Sequence, residues 1–153
     1  MKRILWLMLF ALLAPAAGAA QNIALGERAP EVRPSAWLGG RQPAGAEMTY
    51  VEFFVASNPA CRTSLERLKE LTSKLGTKLR VVVVAREKEE QIAPVLVPYL
   101  SPQIGAALDP EGKIFAAYGV SYVPFGVLTD ARNRALWMGN SLQLTEQVIE
   151  QSK

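Results

Sequence analysis

Two dense runs of strand-forming residues flank a single amphipathic helix, and that arrangement leaves few folds open to this chain. Met48 to Val55 reads Met-Thr-Tyr-Val-Glu-Phe-Phe-Val, and Leu79 to Ala85 carries Val81 to Val84 without interruption. Short unbroken runs of β-branched and aromatic residues predict central strands buried on both faces, as in parallel sheets. Between them Leu65, Leu68, Leu71 and Leu75 recur at helical spacing, with Glu66, Lys69, Glu70 and Lys74 on the other faces. One side of such a helix packs on a sheet while the other meets water. Asn58 suits the N-cap, Pro59 the first helical position and Gly76 the stop. Strand, helix and strand in that order predict a right-handed βαβ unit.

Beyond this unit, Lys88 to Leu100 predicts a weaker helix interrupted by Pro94 and Pro98, and Gly105 to Asp109 a short strand. Asp109-Pro110-Glu111-Gly112 reads as a turn and Lys113 to Tyr118 as a short helix. Phe125 to Thr129 and Ala135 to Met138 flank a polar loop, the pattern of a β-hairpin, and Leu142 to Gln151 closes the chain as a helix. Residues 21–47 are punctuated by Pro30, Pro34, Gly39, Gly40, Pro43 and Gly45, which favours short edge strands and turns. With 153 residues, half of them hydrophobic, the chain supports one domain with its own core.

The basic pair Lys2-Arg3, the apolar run Ile4 to Leu13 and the small residues from Pro15 to Ala20 predict a secretory signal over residues 1–20 and a mature domain over 21–153. A membrane span needs about 20 apolar residues. This run is shorter, so no stable membrane anchor is expected after cleavage. Losing Lys2 and Arg3 lowers the formal net charge from +3 to +1, and the remaining bases are interspersed with acids. That excludes the basic stripe of a nucleic-acid binder. The chain has no histidine and one cysteine, which removes Ser-His-Asp and Cys-His nucleophiles and the usual N/S zinc shells. Neither a metal nor a cofactor is expected.

Val51-Glu52-Phe53-Phe54 followed by Asn58-Pro59-Ala60-Cys61-Arg62 resembles the strand, active-site loop and helix start of the thioredoxin family. Tyr122-Val123-Pro124-Phe125 resembles its cis-proline step, and Ala135-Leu136-Trp137-Met138-Gly139 the last strand of the exported TlpA-like branch. The resemblance covers most of residues 25–150. It implies an α/β, thioredoxin-like fold with a central mixed β-sheet flanked by helices, in an extracytoplasmic bacterial compartment (periplasm or secreted). In that family the first of two cysteines is the exposed nucleophile and the second the buried, resolving one. By position Asn58 replaces the nucleophile and Cys61 matches the resolving cysteine. Asparagine has no redox chemistry, so the dithiol cycle cannot run on these residues, although Asn58 can still cap the helix.

An unpaired cysteine in an exported protein is a buried inert thiol, a reactive thiol or half of an intermolecular bond. A thiol in the first helical turn feels the positive end of the dipole, worth roughly 0.3–1 kcal/mol toward thiolate at an exposed site. Burial works the other way, and the resemblance places Cys61 inward, which favours the inert reading. Glu52 lies six residues before Asn58, where the resemblance implies a buried acid that handles the proton of the resolving cysteine. The alternative is a solvated acid pointing outward on the strand with Tyr50. The TlpA-like branch tends to carry a glutamate where this chain has Ser64.

X-Pro bonds in folded proteins are cis in only about 5–6% of cases, yet the resemblance implies a cis bond at Pro124, leaving the Val123 backbone free to pair with an extended peptide. Tyr122 is expected at the exposed rim, Trp37 and Trp137 in packing roles, and Arg86 to Glu90 as a solvated helix start. Two functions follow. In the first, a groove at Asn58, Pro59, Cys61, Tyr122, Val123 and Pro124 binds a peptide or partner protein. In the second, Cys61 acts as a monothiol thiol-disulfide oxidoreductase that forms mixed disulfides, with Glu52 as its base. A peroxiredoxin-type peroxidase fits less well, since Phe54 and Asn58 occupy the places of that family's proline and its threonine or serine.

Overall fold

The computed structural model describes residues 23–153; the secretory signal expected over residues 1–20 lies outside them. The elements in chain order are β1 (Ala36–Trp37), β2 (Met48–Phe54), α1 (Pro59–Leu75), β3 (Leu79–Ala85), α2 (Glu89–Leu96), β4 (Ile104–Leu108), α3 (Lys113–Ala117), β5 (Phe125–Thr129), β6 (Ala135–Asn140) and α4 (Glu146–Gln151). They build a six-stranded sheet in the order β1-β4-β3-β2-β5-β6. β2, β3 and β4 run parallel, while β1, β5 and β6 are antiparallel to their neighbours. The two runs rich in β-branched and aromatic residues occupy the centre, in register from Met48 against Leu79 to Phe54 against Ala85.

Alternation along these strands divides the core into two layers. Tyr50 and Phe54 face Leu65, Leu68, Leu71 and Leu75 of α1, together with Val81, Val83 and Ala85. Val51, Phe53, Val82, Val84 and Val127 face the other way, against Ile114 and Phe115 of α3 and Tyr118. Each fully buried leucine or phenylalanine contributes about 1.5–3 kcal/mol by leaving water, so the pairing of α1 with β2 and β3 dominates the first layer. On the second, Phe53 meets Phe115 edge-on with ring centroids 5.0 Å apart, a favoured aromatic geometry.

The ends of the elements follow from local chemistry. Asn58 caps α1 by accepting the Ala60 N–H at 2.9 Å, and Gly76 ends it at φ +54°, returning its N–H to Thr72 O. The Asp109 carboxylate accepts the Ile114 and Phe115 N–H groups at the start of α3. The weak helix expected over residues 88–100 divides into α2, which runs through Pro94, and a 3-10 turn at Val97–Tyr99. The terminal helix begins later than the sequence predicts because Ser141–Gln143 form a separate 3-10 turn, capped by Asn140, and Thr145 caps α4 by accepting the Val148 N–H. Gly126 is required by a close approach, since a Cβ there would lie 2.0 Å from the Tyr50 hydroxyl oxygen. Without that Cβ, the Tyr50 ring crosses β5 and its hydroxyl reaches Ser141 Oγ at 2.6 Å.

Candidate functional site

The strand β2 ends at Phe54, and the chain turns through Val55–Asn58 into α1 beside the loop that leads from α3 to β5. This turn is held on several sides. Glu87 Oε1 accepts the Ala56 N–H at 2.7 Å, Arg62 Nε donates to Ala56 O at 3.2 Å, and the Asn58 N–H donates to Val55 O. Glu87 therefore does not belong to a solvated helix start, as the charge pattern of Arg86 to Glu90 predicts. Its Oε2 is buried and has no partner among the described residues.

Asn58 bridges the two loops. Its Oδ1 accepts the Ala60 N–H, and its Nδ2 donates to Val123 O at 3.3 Å. The Val123 carbonyl is thus occupied from within the chain, against the expectation that this backbone stands free, while its N–H has no acceptor among the described residues. The Val123–Pro124 peptide bond is cis. Tyr122 is 48% exposed and packs edge-on against Phe125. Pro59 is exposed at the first position of α1, whereas Pro124 is buried. An open depression of about 500 Å³ lies alongside, lined by Val55, Arg86, Phe115 and the Gly119–Val123 segment. The Arg86 guanidinium sits 4.5 Å from the centre of the Phe115 ring.

Cys61 does not open onto this surface. It is fully buried among Leu65, Phe54 and the other residues of the α1 layer. Burial raises its pKa; the Val55 backbone lowers it somewhat, and the carboxylates of Glu52 and Glu87 raise it further. The helix start does not overcome these effects, so the thiol stays protonated and shielded. The groove expected at Asn58, Cys61 and Pro124 is correspondingly a surface of Asn58, Pro59, Tyr122 and Val123, with Cys61 and Pro124 beneath it.

Glu52 is also fully buried, which overturns the reading of a solvated acid pointing outward with Tyr50. Both faces of β2 are covered, so alternation carries it into the α1 layer rather than into water. Burial pushes its pKa up to about 8, against the opposing pull of the Ser141 and Ser64 hydroxyls. Ser64 Oγ donates to Oε2 at 3.2 Å, while Oε1 has no partner among the described residues. The Ser141 hydroxyl also lies 2.6 Å from the Tyr50 hydroxyl, and either oxygen can be the donor in that pair. Ser64 lies three residues after Cys61, on the same buried face of α1. Sequence reasoning treats it as a departure from the TlpA-like pattern and misses its role as the hydrogen-bond donor to Glu52. Tyr118 is fully buried and donates to Pro30 O. Trp137 packs 6.3 Å from the Tyr50 ring.

Among the described residues no group of His, Cys, Asp and Glu could hold a metal ion, and no helix is long and apolar enough to cross a membrane. No protein-family model matches the chain, and no curated protein matches it by sequence. Solved structures do. A candidate thiol:disulfide interchange protein DsbE from Chlorobium tepidum superposes with a TM-score of 0.68 at 20% identity, over 85% of this chain and 98% of that one. A thioredoxin-like protein from Aeropyrum pernix gives 0.59 at 17% identity, over 71% and 77%. A secreted Mycobacterium tuberculosis disulfide oxidoreductase homologous to E. coli DsbE gives 0.59 at 17% identity, over 79% and 92%. With its mixed sheet, its capped helix after β2 and its Val-Pro step before β5, the chain has the thioredoxin fold.

Proposed function

We propose that this is an exported thioredoxin-fold protein of the TlpA-like type that has lost dithiol chemistry and binds an extended peptide or partner protein. The observation that carries the reading is the pairing of a buried, protonated Cys61 with an Asn58 that caps α1 in the missing nucleophile's place. A monothiol reaction at Cys61 would need an accessible thiolate, and burial opposes both the access and the charge. Peptide binding is supported by the Val123 N–H, which has no acceptor among the described residues, the exposed Tyr122 and the adjoining depression. An extended segment could pair there in the manner of strand addition. Export is supported by the basic, apolar and small-residue succession over residues 1–20.

Three measurements on the mature protein test this. It should not accelerate insulin reduction by dithiothreitol, and Cys61→Ser should behave identically. Cys61 should react with a thiol reagent at least about a hundredfold more slowly in the native state than in denaturant, since only an opening of the core exposes it. A titration with S-carboxymethylated insulin B chain, a peptide without thiols, should shift the Val123 amide resonance, and Tyr122→Ala should weaken that binding. Insulin reduction abolished by Cys61→Ser would overturn the binding reading in favour of the monothiol one. A Val123 amide that does not move would remove the proposed groove.

A further inference from the structure

We propose that the opposite end of the sheet carries a second binding site, for a small organic carboxylate with a planar apolar body. A depression of about 530 Å³ opens there, with Val51 and Val82 on its floor, Trp37 on its wall, and Arg28, Arg80 and Arg132 around it. Its volume falls within the range of small-molecule pockets, about 300–1,000 Å³. Arg80 stands near the start of β3, whereas the Asn58 loop follows the far end of β2, so the two sites lie at opposite ends of the parallel strands.

Arg80 is held by the fold, while the side chains of Arg28 and Arg132 are exposed. Arg80 Nε donates to Thr49 Oγ1 at 2.8 Å, which fixes the guanidinium over the sheet and leaves its terminal nitrogens unpaired among the described residues. Arg28 and Arg132 lie on segments tied together through Asn133, whose Nδ2 donates to Ala29 O at 2.6 Å and whose carbonyl accepts the Ala29 N–H at 2.8 Å. Two acids also line the depression, and both are engaged elsewhere. Glu31 pairs with Arg33 at 2.6 Å. Asp130 Oδ1 accepts the N–H groups of Arg132 and Arg134. Among the described residues no carboxylate forms an ion pair with Arg28, Arg80 or Arg132.

Three arginines against two carboxylates leave this concavity with an excess of positive charge, which an anion relieves. Their planar forks match a carboxylate with two parallel hydrogen bonds. The half-buried Trp37 ring offers that anion a flat apolar face, which favours an apolar body on it. A local depression with acids interspersed at its rim does not fit the extended basic track of a nucleic-acid binder.

The test uses 2-naphthoate and its neutral isostere 2-naphthamide, followed by NMR on the indole N–H signals. Trp37 reports the site, and Trp137, packed on the other layer, serves as the internal control. Saturable movement of Trp37 alone is expected with naphthoate, at least tenfold weaker binding with naphthamide, and at least a tenfold loss in Arg80→Gln. Arg132 is exposed, so Arg132→Gln should weaken binding in the same direction without disturbing the sheet. Equal binding of the amide, affinity unchanged in Arg132→Gln, or a Trp37 signal that stays still would each overturn the proposal.

Discussion

Stability should fall as pH rises from about 5 to 8, and Glu52→Gln should remove most of that fall. In the folded protein the Glu52 carboxyl titrates at about 8 instead of its ordinary 4.5 because it is buried. Between those two values the native state keeps a proton that the unfolded chain has released. The unfolded state binds fewer protons, so stability declines with rising pH, by up to about 1.4 kcal/mol per pH unit. Below 4.5 both states hold the proton and the contribution is flat. Above about 8 the full cost of a buried carboxylate is present. The other titratable groups facing Glu52 do not interfere, since Tyr50 and Cys61 are both raised above their ordinary values and titrate beyond this window. Glutamine keeps the shape and the contact with Ser64 and carries no charge. Urea unfolding at pH 5, 6.5 and 8 should show the natural protein losing a few kcal/mol while the variant stays nearly level. Parallel profiles would mean that Glu52 is hydrated or paired in solution.

The same residue shows where the sequence stops being informative. The βαβ unit was legible because it is local: leucines at helical spacing, an asparagine cap and a glycine stop fix α1 within its own residues. Period-2 alternation predicts an outward side chain only when one face of a strand meets water. β2 is buried on both faces, so the pattern that assigned Glu52 to solvent had no solvent face to refer to. The contacts that define its surroundings are long-range. Ser141 reaches Tyr50 across 91 residues, Asn58 reaches Val123 across 65, and Glu87 reaches Ala56 across 31. Nothing in the local pattern of Arg86 to Glu90 distinguishes the one carboxylate that turns inward. The Thr145 cap, by contrast, was readable and would have placed the start of α4 correctly.

On the proposed reading, the loss of dithiol chemistry is confined to very few atoms. The cap, the turn into α1 and the buried acid are all present, and each is held by interactions that do not involve a second sulfur. Among the described residues one oxygen of the buried Glu52 carboxyl has no partner, an arrangement that costs stability. On the proposed reading Glu52 would serve proton handling at position 61, and restoring a nucleophile is the direct way to test that role.

Asn58→Cys should convert the protein into a dithiol oxidoreductase. The Cys61 N–H donates to Asn58 O at 3.1 Å, so the chain folds back between the two positions as a disulfide across three bonds of the loop requires. The Asn58 side chain now accepts the Ala60 N–H. A thiolate in its place takes the same donor and the positive end of the α1 dipole, which lowers its pKa and makes it the attacking sulfur. Cys61 lies beneath, shielded from other reagents. With oxidised glutathione, the new thiolate attacks one sulfur and releases one reduced glutathione; Cys61 then attacks the mixed disulfide, passes its proton to a base and releases the second. Losing the asparagine cap should cost about 1 kcal/mol, small beside the gain in function. After oxidation a thiol count in denaturant should find no free thiol, and the mass should fall by two hydrogens. Insulin reduction by dithiothreitol should run at least about tenfold faster than with the natural protein. Adding Glu52→Gln should slow closure most near pH 8, where the carboxyl changes protonation. Two free thiols in a folded, oxidised variant would show that the loop does not bring these positions together, and the thioredoxin-type reading of the site would fall with it.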